Sequence, residues 1–322
     1  MHETRIMMDG GSFEIVQPKA SEVLQQIMLA SGLYPKLLLT PVRAFCRHIP
    51  AFPSNSLIVN LDKKLDSVDF ITRVGKREAG HLSKEINLSD QITGSLVTVK
   101  QPAIAGFQCL FEAPFTRKGT LIYELEQPYN TTDRLNYIIT DSIGDPVKER
   151  ISQKLIKIID SITSTNARLK AFAWVPNRKS SCLRLFLEKM PIDHVSDFLH
   201  QIGWKGNKEL LQEIFIKYIS ERLTCDLIID LAGDVKKKIS VLIKDKVEDL
   251  KDQLFSRQQL SPHQYQWLKS WPGNQEINSS LKDSLSLLYN RQAKFIKRNI
   301  QRVEFVVTPD RQEIKAHLGY QF

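Results

Sequence analysis

The chain has 322 residues, 42% hydrophobic and 25% charged, a globular composition with room for one large domain or two ordinary ones. A net charge of +9 and a pI near 9.2 point to a polyanionic ligand: nucleic acid, a membrane surface or a small diphosphate. Lys and Arg are spread along the chain, with short clusters at 236–238 and 294–298 and no long basic tail, which speaks against a nucleic-acid binder. No apolar run approaches the ~18 residues needed to cross a bilayer, and "MHETRIMMDGG" lacks the apolar stretch of an export signal. Cys46, Cys109, Cys182 and Cys225 are widely separated, so reduced thiols in a cytoplasmic protein are expected.

In chain order, residues 1–15 read as an N-terminal tail and 16–322 as one domain. Helical patterns at Ser21–Gly32 and Lys36–Cys46 precede a first hairpin, "SLIVNLD" and "DSVDFITRV". The second hairpin is "GFQCLFEAPFTRKGTLIYELEQ", punctuated by Pro114 and Gly119, and a helix follows with Asp145 as its cap and Pro146 at its first position. The third is "LKAFAWVPNRKSSCLRLFLEK", which runs into the helix "PIDHVSDFLHQIG". After the helix "NKELLQEIFIKYISERL" comes the fourth, "CDLIIDLAGDVKKKISVLIK", with Gly233 and Asp234 in its turn, then the helix "KVEDLKDQLFSRQQL". The fifth, "RVEFVVTPDRQEIKAHLGYQF", closes the chain after a helix at Leu281–Tyr289.

An isolated two-stranded ribbon is marginal in water, so about five hairpins interleaved with helices must join edge to edge. The predicted fold is α+β: an antiparallel barrel of about ten strands ringed by helices, with an interior wide enough for a ligand. Side-chain alternation gives the polarity. Leu57, Val59 and Leu61 oppose Ile58 and Asn60; Phe70 and Thr72 oppose Asp69, Ile71 and Arg73. Leu183, Leu185 and Leu187 oppose Arg184, Phe186 and Glu188, and the apolar face of the fourth hairpin opposes Asp226, Ile228, Asp230, Lys238 and Leu242. Ile314, Ala316 and Leu318 oppose Lys315, His317 and Gly319. One face is greasy and meets helices; the mixed one lines the lumen.

The recurring helix–strand–strand–helix order resembles the ABBA-type aromatic prenyltransferases, and within them the cyanobactin peptide prenyltransferases. The likeness runs best over Leu169–Lys244, where "SCLRLFLEKMPIDHVSDFLHQIGW" places a basic residue at Arg184 and "CDLIIDLAGDVKKKISVLIKDKVEDL" an aspartate at Asp230; "DFITRV" places an arginine at Arg73. Three departures stand out: the acceptor-contacting glutamate of the first barrel strand falls near Ile58–Asn60 and is absent, a basic or histidine position is Phe186, and a tyrosine position is Leu242.

The resemblance implies transfer of a dimethylallyl or geranyl group from its diphosphate to a peptide or aromatic acceptor. Such chemistry needs fixed cations, a dry apolar wall and a positioned nucleophile. Arg73, Arg184, Lys238, Lys315 and His317 are the expected diphosphate ligands, arginine offering a bidentate fork and lysine a point charge. Ile58, Ile71, Tyr123, Phe186, Ile228 and Leu242 are expected around the prenyl group and acceptor, with Asn60 or Asp69 standing in for the absent glutamate. Mg²⁺ on the diphosphate is implied by the resemblance, with Glu188, Asp226 and Asp230 as ligands. A monomer is expected. His194 and His200 lack the i, i+4 spacing of a zinc pair, and no Walker, G-x-S-x-G, H-E-x-x-H or G-x-G-x-x-G sequence occurs. The competing class is a non-catalytic ligand-binding or accessory protein on the same barrel.

Overall fold

A computed structural model describes residues 3–8, 11–16, 18–30, 36–61, 68–74, 103–113, 119–126, 132–143, 145–175, 181–219, 223–289 and 292–322. The five expected hairpins are all present. They are β3 (Ser54–Asn60) with β4 (Val68–Val74), β5 (Ile104–Phe111) with β6 (Thr120–Leu125), and β7 (Arg168–Val175) with β8 (Cys182–Pro191). Next come β9 (Thr224–Ala232) with β10 (Asp234–Ile243), and β12 (Phe295–Val307) with β13 (Gln312–Gln321). Each hairpin pairs antiparallel with the next, and the pairing of β10 with β12 closes the ten-stranded ring.

Three features differ from the sequence reading. The segment expected as a tail holds a separate hairpin, β1 (Glu3–Met8) with β2 (Gly11–Val16). The basic cluster near residue 297 runs into the first part of β12, which starts seven residues earlier than its apolar alternation suggested. A short strand, β11 (Gly273–Glu276), pairs with that extension. Pro114, residues 176–180, and the side chains of Asp145 and Pro146 lie outside the described residues, although the helix Asp145–Thr163 does begin at the expected position.

Alternation sorts the side chains as expected. Leu57, Val59, Phe70, Leu183, Leu185, Leu187, Ile229 and Ala316 belong to one large core between the barrel's outer face and the helices. Ile58, Ile71, Leu110, Ile122, Ala171 and Ala173, with Phe186 packed on them, form a second apolar cluster on the opposite face, inside the lumen. Helix ends are set locally: Ser261 and Gln264 form a reciprocal cap at the start of Pro262–Ser270, with Pro262 where its missing N–H costs nothing, and the Asn207 side chain caps Lys208–Ile214. Among the described residues, no helix is long and apolar enough to cross a membrane. All four cysteines are buried and free, and burial pushes the Cys109 thiol up to about 12.

Candidate functional site

The lumen holds a cavity of about 1030 Å³, counting its solvent-open mouth. Ile58, Asp69, Ile71, Arg184, Phe186, Asp226, Ile228, Asp230, Lys238, Leu242, Lys315 and His317, all expected at the site, line it. Four expected residues do not. Asn60 ends β3 opposite Lys315 but stands outside the lining. Arg73 has the right face and the wrong height: it sits at the opposite end of β4 from Asp69, where its Nε and Nη2 donate to Glu124 Oε2 at 2.8 and 2.7 Å. Glu188 is near the same end, 3.4 Å from Lys170. Tyr123 points outward, stacked on Phe172 at 4.9 Å and edge-on to Phe107 at 5.7 Å; it shares the outward parity of Leu121 and Leu125 and belongs to the core.

Arg184 faces the lumen but is already engaged. Its Nε and Nη2 donate to Asp230 Oδ1 and Oδ2 at 2.7 and 2.9 Å, because β8 and β9 place the two residues directly opposite each other. Burial works against the guanidinium charge; the Asp230 pair outweighs it and raises the Arg184 pKa. The pair takes up the Nε donor and one Nη2 donor expected for a diphosphate and engages both oxygens of an expected metal ligand.

The three expected metal ligands do not fit Mg²⁺. Asp230 is held by Arg184; Asp226 contacts Lys244 and accepts from the Lys189 amide at 3.2 Å; Glu188 lies 3.4 Å from Lys170 and 4.0 Å from Lys244. Each acid has its own cation, and among the described residues no three His, Cys, Asp or Glu side chains gather as a ligand set.

His317 is not the expected cation either. Arg302 Nε donates to its Nδ1 at 3.2 Å, which leaves Nε2 to carry the proton and donate to Glu304 Oε2 at 2.7 Å. Burial first, and then the charge of Arg302, lower its pKa to about 4, so the ring is neutral at pH 7. For Glu304, burial alone would raise the pKa; the hydrogen bond from His317, the Lys315 charge and the hydrogen bond from Ser240 outweigh it and hold the carboxyl below the usual range. The sequence reading missed Arg302 and Glu304, although "RVEFVV" sets both opposite the outward Val303, Phe305 and Val307.

The lumen therefore has two unlike ends. At the hairpin-turn end, Lys315 and Lys238 line the cavity and have no ion-pair partner among the described residues. Asp69 stands there too, accepting from the Ala113 amide at 3.0 Å. Burial raises its pKa most; the Ala113 hydrogen bond and Lys315 oppose, while Glu112 and Glu304 add to the rise. At the other end, charges are paired off: Arg73 with Glu124, and Lys170, Glu188, Lys244 and Asp226 in a chain. Between them lies the inner apolar belt around Phe186.

A ten-stranded antiparallel barrel of helix–strand–strand–helix units with a ligand-sized lumen defines the ABBA barrel, the fold seen in aromatic prenyltransferases. The chain is similar to the prenyltransferase PriB, solved with L-tryptophan and dimethylallyl thiolodiphosphate, at a TM-score of 0.53 and 10% identity over 93% of this chain and 94% of that one. It is also similar to 5-dimethylallyltryptophan synthase from Streptomyces coelicolor (TM-score 0.55, 9% identity, 92% of this chain and 95% of that one). 6-Dimethylallyltryptophan synthase from Micromonospora olivasterospora gives a TM-score of 0.53 at 10% identity, covering 92% of this chain and 95% of that one. No family model matches the sequence, and no curated protein matches it. At this identity the likeness is one of fold.

Proposed function

We propose that this barrel transfers a short prenyl group from an allylic diphosphate to an aromatic or peptide acceptor. The observation that carries the reading is the apolar belt of Ile58, Ile71, Leu110, Ile122 and Phe186, capped at one end by the uncommitted cations Lys315 and Lys238. Diphosphate oxygens at that end would be met by lysine ammonium groups and the remaining N–H groups of Arg184, while the prenyl carbons lie on the belt with Phe186 against them. The allylic C–O bond breaks and its electron pair leaves with the diphosphate. The acceptor carbon or heteroatom then bonds to the allylic cation, and the proton it loses passes to Asp69. A raised pKa makes Asp69 a better proton acceptor than an ordinary carboxylate, and the Ala113 amide orients it. No step runs through a metal.

The finer likeness to cyanobactin peptide prenyltransferases rests on the segments around Arg184 and Asp230, and makes a peptide the acceptor to try alongside tryptophan. The free, buried cysteines support a reducing compartment. A non-catalytic binding role has one observation in its favour: the cavity lining carries five carboxylates against five lysines and arginines, so the lumen is close to neutral before a diphosphate enters. Mass spectrometry after incubation with dimethylallyl and geranyl diphosphates and a panel of cyclic peptides and aromatic amino acids separates the two. A prenyl mass increment on an acceptor is expected; diphosphate binding with no increment on any acceptor favours the binding role.

A further inference from the structure

Arg302 and Glu304 stand on the inward face of β12 on either side of the outward Val303, and both line the lumen. Opposite charges so placed would ordinarily pair with each other. Here His317, which the β12–β13 register sets opposite Arg302, comes between them: Arg302 Nε donates to its Nδ1 at 3.2 Å, and its Nε2 donates to Glu304 Oε2 at 2.7 Å. A neutral imidazole has one acceptor and one donor, and these two bonds use both. The ring holds the guanidinium and the carboxylate apart without cancelling either charge.

Arg184 shows what this spacing changes. Burial opposes the charge of both lumen arginines. Asp230 grips Arg184 in a bidentate pair and its pKa rises, whereas Arg302 meets an uncharged ring and its pKa is lowered by burial, which Glu304 and then Asp226 offset in part. Among the described residues Arg302 forms no ion pair, so its Nη groups remain for an anion. Glu304 accepts from His317 and Ser240, which leaves lone pairs on a carboxylate that offers about four. One wall of the cavity thus presents a cation and an anion side by side, each with bonding capacity left.

Position narrows the ligand. Lys315 is opposite Glu304, so Arg302 lies one inward layer, about 7 Å, further from the hairpin turns than the lysine a diphosphate would meet. A diphosphate in that layer would press several negative charges on Glu304 and Asp226, whereas a single carboxylate brings one. An α-amino acid carries a carboxylate and an ammonium on the same carbon. Its ring would turn from there to Ile58, which the β13–β3 pairing sets beside His317, and to the rest of the apolar belt. A cyclic peptide has neither terminus to offer.

We propose that Arg302 and Glu304, held apart by His317, form a head-group subsite for a free aromatic α-amino acid, with its carboxylate on the Arg302 Nη groups and its ammonium on Glu304. This rests on the prenyl-transfer reading and narrows its acceptor to a zwitterion. His317 is the positioning residue of the subsite.

Calorimetry with dimethylallyl thiolodiphosphate present compares L-tryptophan and L-tyrosine with their amides and their N-acetyl derivatives. The wild type should bind the better of the two amino acids about tenfold or more tightly than either blocked form. Arg302→Met should erase the preference over the amide and keep that over the N-acetyl form, with the affinity for the thiolodiphosphate unchanged. His317→Leu should reduce both preferences, and His317→Gln, whose amide also offers one acceptor and one donor, should restore them; a merely structural role would not sort the ligands by the group that is blocked. If Arg302→Met does not fold, the wild-type comparison decides: equal affinity for free and blocked forms, or no binding of either amino acid, overturns the subsite. A loss of thiolodiphosphate affinity in Arg302→Met with the free-to-amide ratio kept assigns Arg302 to the donor and overturns it as well. Absence of both thiolodiphosphate binding and prenyl transfer in the wild type overturns the prenyl-transfer reading, and the same ligand comparison without the donor then supports or overturns the subsite by itself.

Discussion

The two ends of the lumen use the same residue types and differ in whether the cations are held in direct ion pairs. At the hairpin-turn end Lys315 and Lys238 line the cavity outside any ion pair among the described residues; at the other end Lys170, Lys244 and Arg73 each meet a carboxylate. A paired cation has its field largely cancelled and offers an incoming anion less than an unpaired one. Counting inward-facing cations therefore overstates what a diphosphate would encounter. Position along the barrel, not the face alone, decides which cation is available.

The largest effect that separates the ends concerns Arg184. Replacing it with Met strands the buried Asp230 carboxylate, and about 3–5 kcal/mol of stability should be lost, read from denaturant midpoints. Adding Asp230→Leu should recover most of that loss; no recovery would mean that Arg184 serves something other than its partner. Next comes Lys315→Met, which removes an uncommitted cation. Calorimetry with dimethylallyl thiolodiphosphate should show binding weakened by about 1.5–3 kcal/mol, roughly 10- to 150-fold.

Acidification gives a third, comparable effect. The His317 pKa is lowered from 6.5 to about 4 in the folded protein, so the unfolded chain binds the extra proton first. Stability from this group is complete above about pH 6.5 and falls as the pH drops toward 4, costing about 2 kcal/mol between pH 7 and pH 5. Glu304, whose folded pKa is also depressed, adds a further loss in the same direction once the pH falls below the usual carboxylate range. His317→Gln should flatten the slope between pH 7 and 5; an unchanged slope would assign it to other groups. The smallest effect is expected at the end where the charges are paired. Lys170 is half-exposed, so Lys170→Met should cost at most about 1 kcal/mol of stability and leave diphosphate affinity within about threefold.

Much of the barrel was legible because strand alternation is local. "SSCLRLFLEKM" shows by itself that Arg184, Phe186 and Glu188 share a face, and that face is the lumen. What could not be read was register between hairpins: nothing within "SCLRLFLEKM" or "CDLIIDLAG" says that Arg184 stands opposite Asp230. Height failed for the same reason, since Arg73 and Asp69 share a face and differ only in which end of the barrel they reach. Tyr123 is a different kind of miss. Its parity with Leu121 and Leu125 sets it outside the lumen, in the core. Glu304 and Arg302 were legible in "RVEFVV" by the same rule, while the basic residues before them break the apolar alternation and hide the length of β12.

The most direct measurement is a crystal structure of the protein soaked with dimethylallyl thiolodiphosphate. Density for the diphosphate against Lys315 and Lys238, with the five-carbon chain on Ile58, Ile71 and Phe186, is the expected result. A diphosphate bound at the Arg73–Glu124 pair or outside the barrel, with the lumen lysines untouched, would contradict it.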